Sequence, residues 1–167
     1  MPIAIRPARL GDIEAINRIY GHYVGDCTCT WEENDRELVN AASLSRRGDR
    51  HPLLVAELDG AVVGWGALSP YSLRSGWRHT VEDSVFVSHL HQGRGIGRAL
   101  LAELIRRARD LGHRSILARV SGDQPGSLGL HHSLGFAEAG RLRNAGRKFG
   151  EWLDCVYLQL ELGEPKP

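Results

Sequence analysis

Hydrophobic positions recur along the chain with two periods, and these periods predict a mixture of helices and strands. Apolar residues return every three or four positions from Leu10 to Val24, which is typical of an amphipathic helix with one buried face. The same spacing recurs after a glycine-rich loop as far as Ala108, and more weakly from Asp35 to Arg47. Short runs of β-branched and other apolar residues predict strands at residues 3–6, 53–58, 61–68, 80–87 and 115–120.

Turn-forming residues separate these elements and order them. Asp59 and Gly60 predict a hairpin turn, because both residue types adopt positive φ readily. The last predicted elements are a helix at 128–134 and strands at 136–142 and 152–162 around a turn at 143–146. The order β-α-α-β-β-β-α-β-α-β-β disfavours a purely parallel sheet. It predicts an α/β (α+β) fold with a mixed, mostly antiparallel twisted sheet and helices on both faces. We expect a single domain over residues 1–162 and a loose tail at 163–167.

One stretch in the second half of the chain carries a specific chemical signal. The apolar residues Val85, Phe86 and Val87 lead into a loop that contains Gln92-Gly93-Arg94-Gly95-Ile96-Gly97 directly before a helix. Glycines allow the backbone to turn sharply and to approach a ligand closely. The free N–H groups at the start of a helix, together with the helix dipole, attract anions. This stretch therefore predicts a site for a phosphate or pyrophosphate group.

Three nucleotide-binding motifs compete for this loop. A Walker A loop requires Lys-Ser/Thr after its last glycine, whereas here Arg98 and Ala99 follow Gly97. A dinucleotide fingerprint requires G-x-G-x-x-G early in a βαβ unit, and neither condition is met. The spacing Gln92-x-x-Gly95-x-Gly97 resembles the pyrophosphate loop that holds coenzyme A in the GCN5-related N-acetyltransferases. Glycine spacing alone also leaves open a loop that leads into a helix without binding any ligand.

Composition narrows the possible functions further. The chain of 167 residues has a net charge of +1 and 42% hydrophobic residues, so nothing favours binding to nucleic acid or to an anionic membrane. No apolar run reaches the ~20 residues of a membrane helix, and the N-terminal residues do not resemble a signal peptide. The three cysteines lack zinc-site spacing, so we expect no metal. We expect a cytoplasmic protein whose cysteines (Cys27, Cys29 and Cys155) are all free thiols.

Three further segments make the resemblance more specific. They read GWRHTVEDSVFV at 76–87, SLGLHHSLGF at 127–136 and GRKFGEWLD at 146–154. Together with the glycine loop they resemble, in order, the phosphinothricin and methionine sulfoximine branch of the N-acetyltransferases, over residues 3–162. The resemblance implies acetyl-coenzyme A as cosubstrate and a small amino-acid-like acceptor whose amine attacks the thioester directly. It also implies a homodimer, in which Lys148, Trp152 and Asp154 of a C-terminal hairpin help to form the interface and reach the neighbouring site.

Two candidate catalytic residues emerge from the sequence. Glu82 lies in the middle of a buried strand, where a carboxylate is costly unless it has a partner or a function. The matching position in the branch holds its proposed general base, and pairing with an arginine such as Arg78 is the alternative. His131 matches the position at which the branch has a histidine as acid for the departing thiolate, and a packed structural histidine is the alternative. Asp83 replaces an expected histidine and is predicted to face away from Glu82.

The resemblance also implies contacts with both substrates. The pantetheine arm and the thioester oxygen would bind the backbone of Val85, Phe86 and Val87. The predicted diphosphate contacts are Gln92, Gly93, Arg94, Gly95, Ile96, Gly97 and Arg98. Gln124 and Ser127 would contact the pantetheine or diphosphate arm, although Gln124 stands where asparagine is expected and Gly129 where a longer side chain is usual.

Several loop residues are candidates for the acceptor site. Arg74 is suited to hold an acceptor carboxylate, since arginine pairs bidentately with carboxylates. Trp31, Tyr71 and Trp77 would form aromatic walls beside Glu82. Two other functions remain open at this point: acetylation of another small amine or a peptide N-terminus, and a coenzyme A-binding module without catalysis. The presence of both Glu82 and His131 argues against the second.

Overall fold

A computed structural model describes residues 3–34 and 39–163. Its strands are, in chain order, β1 (Ala4–Pro7), β2 (Leu53–Leu58), β3 (Ala61–Pro70), β4 (Thr80–Val87), β5 (Ser115–Ser121), β6 (Ala137–Lys148) and β7 (Glu151–Glu161). They form one sheet in the order β1-β2-β3-β4-β5-β7-β6. Among these strands only β4 and β5 pair in parallel, and every other neighbouring pair is antiparallel. The predicted mixed, mostly antiparallel sheet is therefore confirmed.

Four α-helices lie within the described residues: α1 (Ile13–Asp26), α2 (Ala41–Arg46), α3 (Ile96–Asp110) and α4 (Pro125–Ser133). The helix expected at Asp35 to Arg47 is shorter than predicted, because Asn40 caps it by accepting the backbone N–H of Ser43. Its predicted start at residues 35–38 lies outside the described residues. Helix α4 begins earlier than expected, since Pro125 is well suited to the first turn of a helix.

Strand β2 illustrates how both faces of the sheet are covered. Leu53 and Val55 belong to a buried cluster that contains Ile16 of α1. Leu54, between them, belongs to a second cluster that contains Leu100 of α3. Because successive side chains of a strand point to opposite faces, α1 and α3 pack on opposite sides of the sheet. The predicted helices on both faces are therefore confirmed.

The C-terminal hairpin is longer than the sequence suggested. The turn predicted at residues 143–146 is wrong, because the chain continues as β6 to Lys148 and turns at Phe149 and Gly150, both with positive φ. The turn-like Asn144 (φ 48°) lies instead within an irregular stretch of β6, where the pairing register with β7 shifts. A positive φ is compatible with a β-bulge as well as with a turn. Here residues 143–145 lie within β6, between the paired positions Leu142 and Gly146.

The two parallel strands separate along their length. Strand β4 pairs with β5 only from Thr80 to Glu82, opposite Ser115 to Leu117. In the described region, the edge of β4 that faces β5 therefore has no strand partner from residue 83 onward, whereas its other edge still pairs with β3 as far as Val87. The gap leaves backbone N–H and C=O groups of β4 available to a ligand that enters between the two strands. The fold thus prepares a site at this point.

Candidate active site

A cleft of about 380 Å³ lies where β4 and β5 separate, which is within the usual range for small-molecule sites. Helix α1, the segment after it, both parallel strands and α4 form its walls. The residues around it are Tyr20, Cys29, Thr30, Trp31, Glu32, Trp65, Glu82, Asp83, Ser84, Val85, Phe86, Ala118, Arg119, Val120, Ser127 and His131. The cleft therefore brings together both predicted catalytic residues with Trp31, Val85, Phe86 and Ser127.

The glycine loop has the backbone geometry of an anion site. Gly93 (φ 74°) and Gly95 (φ 79°) both adopt the left-handed conformation, and Gly95 is the residue that precedes the first turn of α3. Ile96 is buried and fixes the start of the helix against the core. The first-turn N–H groups of α3 have no carbonyl partner within the helix, so they can donate to a ligand phosphate. This loop fits the diphosphate of acetyl-coenzyme A.

A tyrosine that the sequence analysis missed links this loop to the end of β4. Tyr23 of α1 donates its hydroxyl hydrogen to the carbonyl of Val87 and accepts a hydrogen bond from Nε2 of Gln92 at 2.8 Å. Burial raises the pKa of Tyr23, which keeps the hydroxyl protonated as the donor. The predicted ligand contacts Val87 and Gln92 are thus also anchored to α1. Helical spacing had placed Tyr23 on the buried face of α1, but gave no sign of this bridge.

Other predicted cofactor contacts have protein partners of their own. Arg98 donates to the hydroxyl of Ser133 in α4 at 2.7 Å, and Gln124 donates to the hydroxyl of Thr28 at 2.8 Å. The Gln124 amide therefore connects the start of α4 to the segment after α1. Arg94 and Gly93 are exposed at the mouth of the loop, where a diphosphate would lie in solvent contact.

Glu82 forms an ion pair with an arginine that the sequence analysis did not identify. Nε of Arg119 in β5 donates to Oε1 of Glu82 at 2.6 Å, so the suggested pairing with Arg78 is wrong. The parallel register explains the pair, because Glu82 lies opposite Leu117, two residues before Arg119. Arg119 holds one carboxylate oxygen in a fixed orientation at the point where β4 and β5 part.

Asp83 and His131 form a buried pair on the opposite side of β4. Nε2 of His131 lies 3.1 Å from Oδ2 of Asp83, and Nδ1 lies 2.7 Å from the carbonyl oxygen of Ser127. Both neighbours are hydrogen-bond acceptors, so the geometry favours a ring with protons on both nitrogens. Burial disfavours that charge, but Asp83 and the Ser127 carbonyl outweigh it, and the pKa of His131 is raised. Asp83 thus points away from Glu82, as predicted.

A second recess adjoins the cleft on the outer side of Glu82. Three of the predicted acceptor residues, Tyr71, Arg74 and Trp77, lie around it together with Glu82 and Arg119. Ser72 and Tyr157 complete its lining. Trp31 lies in the main cleft instead, so Glu82 and Arg119 are the residues that border both spaces. The predicted acceptor residues therefore surround Glu82 from two sides.

The cysteines differ from the prediction of three free thiols. Cys27 and Cys29 are joined by a disulfide in the segment after α1, and Cys155 is the buried free cysteine of the described residues. The prediction is therefore wrong for the first pair, whose spacing gave no signal for a bridge. In the described part of the chain, no three His, Cys, Asp or Glu side chains are grouped as a metal site would require. Nor does any helix there have the length and apolar character needed to cross a bilayer.

The C-terminal hairpin contains one residue whose environment contradicts the sequence analysis. Lys148 was expected to reach toward a neighbouring subunit, but it is 1% exposed and its Nζ binds backbone carbonyls of its own chain. Asp154 binds the backbone N–H of Asn144 and the guanidinium of Arg141 within the hairpin. Trp152 is 61% exposed, so among the three hairpin residues it is the one available to a partner.

Comparison with known sequences relates the chain to named acyltransferases. A model of the acetyltransferase (GNAT) family matches residues 16–136. The L-amino acid N-acyltransferase MnaT of Escherichia coli (strain K12) is 39% identical, over 97% of this chain and 95% of its own length. The L-methionine sulfoximine/L-methionine sulfone acetyltransferase of Salmonella typhimurium is 37% identical, over 97% of this chain and 96% of its own.

A solved structure supports the same relationship. The GNAT superfamily phosphinothricin acetyltransferase of Sinorhizobium meliloti, in complex with acetyl-coenzyme A, superimposes with a TM-score of 0.89 at 36% identity. The match covers 98% of this chain and 90% of that one. The resemblance inferred from the loop and the three motifs is thereby confirmed at the level of sequence and fold.

Proposed function

Because the chain belongs to the acetyltransferase (GNAT) family, we propose that it transfers the acetyl group of acetyl-coenzyme A to the amino group of a small amino acid. The observation that carries this proposal is the position of Glu82. It lies between the open edge of β4, which fits the acyl donor, and a recess that contains Arg74, which suits an acceptor carboxylate. An amine held between these two features would be adjacent to both the base and the thioester.

Backbone groups would make most of the contacts with acetyl-coenzyme A. The N–H groups at the start of α3 would bind the diphosphate, and the unpaired edge of β4 would bind the amides of the pantetheine arm. A backbone N–H of Val85, Phe86 or Val87 directed at the thioester oxygen would stabilise the negative charge that develops there.

Glu82 is the proposed general base. The acceptor amine is protonated in water near neutral pH and must lose a proton before it attacks the carbonyl carbon. Arg119 holds one carboxylate oxygen of Glu82, which orients the group toward the cleft. The proton passes from the ammonium to Glu82, directly or through one water molecule. The nitrogen lone pair is then free to form the new bond to carbon.

His131 is proposed to serve the leaving thiolate. As an imidazolium beside Asp83 it provides a positive charge at the wall of the cleft, where the thiolate develops negative charge. Both ring nitrogens have protein acceptors, so transfer of a proton to sulfur requires one of those two hydrogen bonds to break. Charge stabilisation is therefore available without rearrangement, whereas proton donation follows a small movement of the ring.

The acceptor assignment is tested with Arg74. We expect Arg74→Gln to raise the KM for L-amino acids by about 10- to 150-fold, because a hydrogen bond to a charged group is worth roughly 1.5–3 kcal/mol. The KM for acetyl-coenzyme A should change little. Steady-state kinetics on L-methionine sulfone and its methyl ester measure this, since only the free acid can use the arginine.

The matched control is Arg78→Gln, which removes a nearby exposed arginine that does not border the recess. Equal use of acid and ester by the wild type would contradict a carboxylate site. Simple amines or peptide N-termini would then be the better acceptors. Failure of all acceptors despite tight binding of acetyl-coenzyme A would favour a binding module without catalysis.

We also propose that the protein is a cytoplasmic homodimer. The hairpin exposes three large apolar side chains, Leu142, Phe149 and Trp152, by 51%, 57% and 61%, and Trp152 is the exposed residue that the resemblance assigns to the interface. The acyl donor is a metabolite of the cytoplasm. Sedimentation of the purified protein tests the dimer, and a monomer at all concentrations would contradict it.

A further inference from the structure

The wall of the cleft opposite β4 is formed by a segment without regular structure. Residues 27–34 follow α1 and contribute Cys29, Thr30 and Trp31 to the cleft. Side chains outside the segment are hydrogen-bonded to it. The hydroxyls of Tyr20 and Thr30, for example, lie 2.7 Å apart. A loop held mainly by side-chain contacts can be shaped by whatever packs behind it. Behind this loop lies strand β6 of the C-terminal hairpin.

Lys148 of β6 holds the loop by its backbone. Its Nζ donates to the carbonyl oxygens of Cys27 at 2.6 Å, Thr30 at 3.0 Å and Tyr23 at 3.4 Å. An ammonium group has three hydrogens, so these three acceptors satisfy it completely. Burial of the group lowers the pKa of Lys148, and the nearby carboxylates of Glu33 and Glu32 oppose this effect. One side chain thus joins the last turn of α1 to the middle of the cleft wall.

Gly146, two residues earlier on β6, accommodates the indole of Trp31. A Cβ atom at position 146 would overlap Cζ3 and Cε3 of Trp31, far inside van der Waals contact. The indole therefore occupies the space that any other residue at 146 would fill. Trp31 also lines the main cleft, so displacement of the ring away from Gly146 moves it into the space that Glu82 borders.

We propose that Gly146 and Lys148 are positioning residues that fix Trp31 and thereby determine how large an acceptor side chain the cleft admits. The inference rests on the proposed amino-acid acetylation and adds the determinant of its side-chain selectivity. Gly146 sets the depth of the indole, and Lys148 fixes the backbone from which the indole projects. Neither residue contacts the reacting atoms, so their effects should appear in acceptor selectivity and not in the use of acetyl-coenzyme A.

The experiment compares kcat/KM across L-amino acids of increasing side-chain length, from L-alanine to L-methionine sulfone. Gly146→Ala should lower the ratio of long to short acceptors by about tenfold or more, since one methylene changes such discrimination by roughly 10- to 200-fold. Trp31→Ala should raise the same ratio by about tenfold, because it enlarges the cleft. The KM for acetyl-coenzyme A should remain within about twofold of the wild-type value in both variants.

The chain provides a matched control for each position. Gly140→Ala adds the same methyl group to the same strand, where a Cβ atom would meet nothing within 4 Å. Lys148→Met should lower kcat/KM for all amino acids and weaken the selectivity among them. Its control is Arg147→Met, which changes a residue on the exposed side of β6. Both control variants should retain the wild-type selectivity.

The outcomes separate this inference from the proposed function. If the wild type acetylates amino acids but Gly146→Ala and Trp31→Ala both keep its selectivity, the positioning role is overturned alone. If the wild type acetylates none of the series, the proposed function is overturned and this inference with it. If Gly146→Ala fails to fold, two results are still required. The double variant Gly146→Ala/Trp31→Ala must fold, because the clash is then removed, and Trp31→Ala alone must shift the acceptor selectivity. Any other result then overturns the inference.

Discussion

The two loops that we propose to face the substrates are held in opposite ways. The loop at residues 92–97 takes its shape from its own glycines, which adopt positive φ and lead directly into α3. The acceptor-side segment at residues 27–34 takes its shape from distant residues. Lys148 reaches it across 121 positions of sequence, and Gly146 accommodates its Trp31. One loop is encoded locally, whereas the other is assembled by tertiary contacts.

This difference has a functional consequence. The diphosphate of acetyl-coenzyme A is the same for every member of such a family, and a backbone site can bind it with little dependence on side chains. Acceptors differ in their side chains, and a wall supported from a separate hairpin can be altered without disturbing the donor site. Changes on the acceptor side should therefore affect acceptor parameters alone, and changes in the glycine loop should affect donor parameters alone.

The largest effect is expected from Glu82, which borders both the proposed donor cleft and the proposed acceptor recess. We expect Glu82→Gln to lower kcat by about 10²- to 10⁴-fold at neutral pH, with the KM for acetyl-coenzyme A little changed, because loss of a general base costs this much. The deficit should shrink as the pH rises, since the amine then loses its proton to water. The test is to measure kcat for the wild type and for Glu82→Gln over a range of pH values, from the rate at which acetyl-coenzyme A is consumed.

The control for this variant is Glu57→Gln, which breaks another strand glutamate–arginine pair far from the cleft, the one with Arg6. It should leave kcat at the wild-type value. Wild-type turnover by Glu82→Gln at neutral pH would mean that Glu82 serves only to pair with Arg119 and that the base lies elsewhere.

A smaller effect is expected on the donor side. Gly95→Glu should weaken binding of acetyl-coenzyme A by about 10- to 100-fold, because it brings a negative charge toward the diphosphate and strains the backbone. The KM for the amino acid should remain unchanged. Gly60→Glu is the matched control, since Gly60, in a hairpin turn, has the same φ of 79° and a Cβ atom there would also meet nothing within 4 Å.

Calorimetric titration with acetyl-coenzyme A distinguishes the two glycine variants. Gly60→Glu should bind as the wild type does, although it carries the same strain and charge. Similar losses in both variants would attribute the effect to general destabilisation and would remove the evidence for a diphosphate site at Gly95.

The smallest of these effects is a change in stability, expected for the buried pair of Asp83 and His131. Asp83→Asn should lower the free energy of unfolding by roughly 1.5–3 kcal/mol at pH values below about 6.5, where the wild-type pair has a charged imidazole. The pKa of His131 is raised in the folded protein. Its contribution is therefore complete below the ordinary histidine pKa and is lost as the pH rises through the raised value.

Denaturant unfolding of wild type and variant across this pH range tests the pair. The difference between them should shrink toward alkaline pH. The control is Asp123→Asn, whose carboxylate binds Ser121 and Thr28 and has its pKa lowered, so its contribution should be constant near neutrality. A pH-independent difference for Asp83→Asn would show that Asp83 does not hold the proton on His131.

The sequence by itself determined the features that depend on neighbouring residues. Hydrophobic periods identified α1, α3 and the central strands, because a buried face must repeat with the period of its element. The spacing of the glycines at 93, 95 and 97 predicted an anion loop, and Gly93 and Gly95 do adopt the positive φ that few other residues tolerate. Glu82 was identified because a carboxylate in the middle of a buried strand requires a reason.

Only the tertiary structure decided which distant residues meet. The register of β4 and β5 selected Arg119, not Arg78, as the partner of Glu82, and α4 brought His131 to Asp83. The turn after Lys148 was misplaced because Asn144 can form a bulge as readily as a turn. Lys148 itself was expected at the surface, where most lysines lie. Its burial depends on three carbonyls that converge only after α1 and the hairpin have packed together, and no local pattern in the chain records that convergence.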